Sequence, residues 1–216
     1  MNLFSKFVSS ILIVLLSPFL IFVYFLCIII QGKPVIFSQS RVGYNYIHFK
    51  IYKFRTMAYK KGSLITRSSD NRITKLGRVL RLTKIDEIPQ LFNIFYGDMR
   101  FIGPRPEVPE YFNKKKFIFL KKIKPGISDF SSILLRNENA ILDRIGGSDP
   151  YSKLLPIKLL LAEYYAARKT FFLDLKLVGL TMGSLIFPKL INDSFLLPLM
   201  KKDLPIVYNF FKKYAQ

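Results

Sequence analysis

Two adjacent carboxylates, Asp86 and Glu87, stand in the stretch LTKIDEIPQLFN of a chain with only 14 acidic residues against 34 Lys and Arg. Arg78, Arg81 and Lys84 supply cations just upstream, and the GPRPE loop, Gly103 to Glu107, supplies Arg105 downstream. An acid pair among phosphate-binding groups suits a divalent metal and phosphoryl transfer. Mg²⁺ takes one or two carboxylates plus phosphate oxygens, and a second carboxylate can attack phosphorus. Neighbouring residues converge on one atom only where the backbone turns, so separate roles are the natural assignment. The plainer reading is a helix cap. Pro89 suits a first helical position, Thr83-x-x-Asp86 resembles a capping box, and acids at a helix start gain about 0.3–1 kcal/mol. The two readings share one feature, because a helix N-terminus is itself an anion site.

Several elements must hold this pair. Upstream, Leu76, Val79 and Leu80 recur at helical spacing, with Lys75, Arg78 and Arg81 on another face. Downstream, a helix starting at Pro89 should stop at Gly97 and bury Leu91, Phe92 and Phe95. Pro34 to Thr56 reads as a β-hairpin turning at Gly43-Tyr44-Asn45. In its second strand Phe49, Ile51, Lys53 and Arg55 share one face, and His48, Lys50, Tyr52 and Phe54 the other. His48 is the single histidine, which argues against a His base or a His-rich metal site. Met57 to Asn71 is polar and reads as a flexible loop. Tyr111 to Lys124 alternates Lys clusters with Phe and Ile, as an interfacial helix does; a solvated basic helix packed on the core is the alternative. Thr170 to Phe187 reads as a core or interfacial helix, and Asn192 to Gln216 as a proline-broken apolar tail on a membrane.

The formal charge of +20 would suit a nucleic-acid binder, but half of the residues are hydrophobic, which is unusual for one. Anionic membrane lipid is the better match, since head groups attract Lys and Arg by about 1 kcal/mol each and the 21 Phe and 12 Tyr can embed at the same boundary. From Phe7 to Gly32 no residue is charged, a run of about 39 Å as a helix against a hydrocarbon core of about 30 Å. Ser17-Pro18 interrupts it: proline removes a backbone donor, and the serine hydroxyl can serve the freed carbonyl. A kinked spanning helix and a re-entrant helix that leaves on its entry face both fit. Lys6 alone of the 34 basic residues precedes the run, so the bulk of the chain is cytoplasmic in either case. The lone Cys27, within the run, cannot form an internal disulfide.

KIYKFRTM, LGRVLRLTKIDEIPQLFNIFYGDMRFIGPRPE, KPGIS and FFLDLKL, behind an apolar helix with Ser-Pro, resemble the bacterial sugar transferases known as small monotopic phosphoglycosyl transferases, in order over residues 1 to 180. The resemblance implies transfer of a sugar 1-phosphate from a UDP-sugar to undecaprenyl phosphate, with release of UMP, at the cytoplasmic face of the bacterial inner membrane. The lipid-linked product would pass to downstream glycosyltransferases. It implies Asp86 as the attacking group and Glu87 as the Mg²⁺ contact. Arg81, Arg105 and Arg136 fall where that family uses arginines on phosphate or nucleotide, and Lys53 and Arg55 belong to its Lys-Phe-Arg-Thr-Met stretch. It also favours the re-entrant topology, turned at Ser17 and Pro18. The chain departs from the pattern after KPGIS, where Asp129, Phe130, Ser131 and Ser132 replace the usual Gly-Trp-Ala-Gln, and at Ala162 and Ala167-Arg168.

The expected architecture is therefore α+β: a re-entrant membrane helix (1–32), a catalytic domain with a small β-hairpin, helices and interfacial amphipathic helices (33–190), and an amphipathic C-terminal tail (191–216). A non-catalytic basic membrane adaptor or nucleic-acid-binding protein is the rival reading, and it needs the charges but not the acid pair.

Overall fold

The computed structural model describes residues 2–58 and 70–215. Residues 59–69, most of the expected polar loop, lie outside it. The fold is mixed helix and sheet, led by a 30-residue apolar helix, α1 (Asn2–Gln31). By length and composition α1 is the one described helix able to cross a membrane, with mean hydropathy 3.0 and 11% of its most apolar stretch buried. It runs unbroken through Pro18. Pro18 has no N–H for the Val14 carbonyl four residues back, and the Ser17 hydroxyl donates to that carbonyl at 2.7 Å.

Beyond Gly32, at φ +69°, the chain enters an antiparallel hairpin of β1 (Ile36–Val42) and β2 (His48–Phe54). The tight turn uses left-handed backbone at Asn45 and Tyr46. Alternation along β2 separates two small cores. Phe54 meets Val23 and Cys27 of α1 and Leu80 of α2 (Lys75–Thr83), while Ile51 meets Leu91 and Ile94 of α3 (Gln90–Tyr96), joined by Leu12 and Leu16 of α1. The N-terminal helix is thus built into the platform that carries the acid pair. Gly97 ends α3 in left-handed conformation at φ +89°.

The main core lies on the other side. A short parallel pair, β3 (Arg100–Ile102) and β4 (Gly126–Ser128), packs with α4 (Phe130–Leu134), α5 (Glu138–Ile145), α6 (Tyr151–Arg168) and α7 (Phe171–Ile186). Helix α7 buries Leu177 and Leu180 and exposes Phe171, Leu175, Met182 and Ile186. The chain closes with α8 (Pro188–Ile191), a π-helical turn (Asn192–Leu196), α9 (Leu197–Asp203) and α10 (Pro205–Tyr214).

Three expectations need correction. Tyr111–Lys124 is not an interfacial helix: it holds only short 3-10 turns, with Phe117, Phe119, Leu120 and Ile123 buried in the main core and the lysines outside. The C-terminal residues do not stand apart as a tail, because Leu197, Met200, Val207 and Phe211 join the same core. Asp203 accepts from the Tyr164 hydroxyl at 2.6 Å, which ties α9 to α6. Helix α3 buries Leu91 with Ile94, whereas Phe92 and Phe95 are exposed, since Gln90 and Asn93 take the inward positions.

Candidate active site

The acid pair sits in a single 3-10 turn, Ile85–Glu87, between α2 and α3. Lys84 ends α2 in left-handed conformation at φ 60°, which redirects the chain and points the two carboxylates into separate surroundings. Thr83 is no N-cap, because its hydroxyl donates back to Val79 O at 2.8 Å. Helix α3 has no side-chain cap, whereas α2 is capped by Thr74, whose side chain accepts from Gly77 N at 2.8 Å and donates to Gln31 Oε1 of α1 at 2.8 Å. Gly77 is required there: a Cβ would come within 2.0 Å of Thr56 O.

Glu87 is held by cations from two distant segments. Arg105 grips it with two hydrogen bonds, and Lys53 of β2 donates to Oε1 at 3.0 Å. Burial opposes ionisation of Glu87, but the charges of Arg105 and Lys53 more than offset it and hold the carboxyl well below its ordinary value. Asp86 differs. It is 6% exposed, and its Oδ1 is buried without a hydrogen-bond partner. Burial pushes its pKa up, against the pull of Lys53 and with the push of Glu87. One carboxylate is neutralised and fixed; the other is left basic and open.

Arg81 comes close enough to Asp86 to feel its charge, and its Nε donates to Thr56 Oγ1 at 2.8 Å. Arg136 reaches toward the same end of α2, donating to Leu82 O at 3.0 Å. Arg55 is not brought to the site. Its donors go to Gln31 O, Gly32 O and Pro34 O at 2.5, 2.7 and 2.6 Å, so it finishes the C-terminus of α1. Such a role suits a cation, since the carbonyl end of a helix carries partial negative charge. Ser17 lies away from the carboxylates, on an apolar groove of about 500 Å³ between α1 and the platform. That groove is walled by Leu20, Tyr24, Tyr52 and Phe92 and reaches Pro89, three residues from Asp86.

Residues given no role in the site from the sequence complete the setting. Asp129, 2% exposed, caps α4 through Ser132 N at 2.7 Å and accepts from Arg105 N at 3.4 Å, which fixes the loop carrying Arg105. Behind it, the Tyr151 hydroxyl donates to Glu107, Lys158 donates to the Tyr151 oxygen at 2.9 Å, and Lys158 pairs with Glu138 at 3.3 Å. These partners lie 7 to 44 positions apart in sequence, and only Glu107, through the GPRPE loop, carried any local signal.

Residues 1–188 match the family profile of bacterial sugar transferases. A UDP-glucose:undecaprenyl-phosphate glucose-1-phosphate transferase of Klebsiella pneumoniae is 31% identical over 87% of this chain and 39% of its own length. An uncharacterized sugar transferase, EpsL, of Bacillus subtilis is 35% identical over 76% of this chain and 75% of its own. A UDP-N-acetylgalactosamine-undecaprenyl-phosphate N-acetylgalactosaminephosphotransferase of Aeromonas hydrophila is 38% identical over 58% of this chain and 32% of its own. The chain thus spans well under half the length of the Klebsiella and Aeromonas relatives.

Proposed function

The chain belongs to the bacterial sugar transferase family, and on that premise we propose that it moves a sugar 1-phosphate from a UDP-sugar to undecaprenyl phosphate, with release of UMP, through an aspartyl intermediate. The observation that carries this reading is the asymmetry of the acid pair, an open buried oxygen on Asp86 beside a Glu87 fixed by two cations. In the first step an Asp86 carboxylate oxygen bonds to the sugar-bearing phosphorus. The bond from that phosphorus to the oxygen of UMP breaks, and its electron pair leaves with UMP. In the second step a phosphate oxygen of undecaprenyl phosphate attacks the same phosphorus, and Asp86 leaves as a carboxylate. The product is the lipid diphosphate sugar.

Asp86 suits the attacking role because burial raises its basicity and leaves Oδ1 free of competing donors. Arg81 and Arg105 answer the charge of the donor diphosphate, with Arg136 at the end of α2. A Mg²⁺ ion here would be held by one or two carboxylates, with substrate oxygens completing its shell. Glu87 would hold Mg²⁺, with the orphaned Asp86 Oδ1 on the neighbouring residue. When bound, Mg²⁺ would offset the phosphate charge.

The apolar groove beside Ser17, Tyr52 and Pro89 fits the hydrocarbon chain of the acceptor, delivered from the membrane to Asp86. For this the cytoplasmic side of the bacterial inner membrane is the proposed location. The re-entrant path proposed for α1 rests on the family resemblance, because Lys6 as the one cation before the apolar run fits a spanning helix equally. Anionic lipid, rather than nucleic acid, is the proposed partner of the basic surface, and downstream glycosyltransferases would receive the product.

A UMP-release assay with a panel of UDP-sugars and undecaprenyl phosphate tests the reading. The wild-type protein should release UMP and Asp86→Ala should not; equal turnover by both would sink the assigned nucleophile. Release of UDP in place of UMP would mean that sugar moves without its phosphate.

A further inference from the structure

We propose that Gln90 is a further substrate-contacting residue, whose Nε2 donates to a non-bridging oxygen of the phosphoryl group that Asp86 attacks. This rests on the transfer reading above. Gln90 is 2% exposed, and its Nε2 is buried with no hydrogen-bond partner. The other relevant orphan is Asp86 Oδ1. Between them the backbone stays helical, with Ile88 at φ −56° and ψ −36° and Pro89 at φ −58° and ψ −16°. The backbone bonds along this stretch run i→i−3, Ile88 N to Ile85 O and Leu91 N to Ile88 O, so residue 90 stands over residue 87, and residue 86 lies about 120° around the axis.

An unpaired buried amide donor costs about 1–3 kcal/mol, and so does an unpaired acceptor. The two groups do not bond to each other, so both costs stand. A third group that takes a hydrogen bond from Gln90 while offering an electrophilic centre to Asp86 would satisfy both. A phosphoryl group has that pairing of an electrophilic phosphorus with anionic oxygens. Asn93, the next buried amide on α3, makes the contrast: its Nδ2 donates to Lys50 O at 2.7 Å and its Oδ1 accepts from Tyr52 N at 3.1 Å. That amide joins α3 to the hairpin. Gln90 makes no such tie, so its inward position has no structural partner to explain it.

A neutral donor also suits the position. Lys53, Arg105 and Arg81 already supply positive charge around the pair. What in-line displacement adds is charge on the equatorial oxygens as the old bond breaks, and a fixed N–H aimed there acts mainly in the transition state.

The test compares full-length wild type, Gln90→Met and Gln90→Glu in membranes, reading UMP release and thermal unfolding. Methionine keeps the length and bulk without the donor; glutamate keeps the length and replaces the donor with an acceptor. Gln90→Met should unfold near the wild-type temperature, whereas the buried charge of Gln90→Glu should lower it. The kcat of Gln90→Met should fall about 100-fold with KM for the UDP-sugar nearly unchanged, and Gln90→Glu should fall further. If Gln90→Met does not fold, Gln90→Leu, which also lacks the donor and adds no charge, decides by the same kcat loss. A folded variant with wild-type kcat, or a loss confined to KM, overturns the assignment. Absence of UMP from the wild type sinks the transfer reading and this inference together, whereas equal UMP release by wild type and Gln90→Met sinks this inference alone.

Discussion

Arg105 clasps Glu87 with Nη2 at 2.6 Å from Oε1 and Nη1 at 3.2 Å from Oε2, joining a loop after β3 to the turn before α3. The planar fork of arginine makes this geometry, which a lysine cannot copy. Arg105→Lys should therefore lower kcat/KM by about 10- to 100-fold, in line with about 1.5–3 kcal/mol for a charge-assisted pair. Steady-state UMP release measures it, and a near wild-type value would mean that charge alone suffices at this position.

Glu87→Gln keeps the shape of the side chain and removes its charge. If Glu87 holds the metal, the Mg²⁺ concentration for half-maximal UMP release should rise at least about tenfold, since a single carboxylate then remains. A titration of rate against Mg²⁺ checks this. An unchanged midpoint would move the metal away from Glu87.

Lys158 pairs with Glu138 and donates to Tyr151, and burial works against its charge while Glu138 and Tyr151 raise its pKa. Burial opposes ionisation of Glu138 as well, but Lys158 and Arg105 pull its pKa below the ordinary value. A depressed carboxyl adds stability above its unfolded pKa of about 4.3 and loses it as pH falls through the folded value. Lys158→Met should therefore destabilise the fold most near neutral pH, by about 1 kcal/mol for this partly exposed pair, and lower Tm accordingly, with the gap narrowing in acid. Thermal unfolding followed across pH tests it. A gap that is constant with pH would leave only the Tyr151 contact in play.

Gly77→Ala would drive a Cβ to 2.0 Å from the Thr56 carbonyl, backbone that cannot step aside. Overpacking of that kind costs about 1–3 kcal/mol, and here it pushes α2, with Arg81, away from the hairpin. Both Tm and UMP release should fall. Wild-type stability in this variant would show that α2 is not pinned at Thr56.

Pro18 is the proposed turning point of α1. A cysteine at Leu3, in a Cys27→Ser background, should react with an impermeant thiol reagent from the cytoplasmic side in inside-out vesicles. Pro18→Ala restores the N–H that Val14 O lacks and should move that cysteine to the opposite side. Labelling from the opposite side in both proteins would mean that α1 spans the membrane outright.

Local signals carried a good part of this structure. The Gly43-Tyr44-Asn45 turn, the two-faced alternation of β2 and the Gly97 stop follow from backbone preferences of single residues and short periods. Where burial depends on which neighbour arrives, period alone misled. Phe92 and Phe95 look like the inward stripe of α3, but Gln90 and Asn93 point inward, Asn93 because the open edge of the hairpin needs an amide partner. Lys53 and Arg55 share one strand face, yet the first reaches Glu87 and the second is spent on the end of α1.

The sequence by itself determined that two carboxylates lie side by side among cations, next to an apolar helix interrupted by proline. Those are facts of composition and adjacency, and they narrow the chemistry to anionic substrates at a membrane. Only the tertiary structure decided that the two acids are unlike. Glu87 meets Lys53 and Arg105, 34 and 18 positions away, and is neutralised. Asp86, one residue earlier, is turned by a 3-10 step into a buried place with no donor. The division arises because burial and nearby charge set a carboxylate's basicity, and both are supplied by segments that meet only when the chain folds.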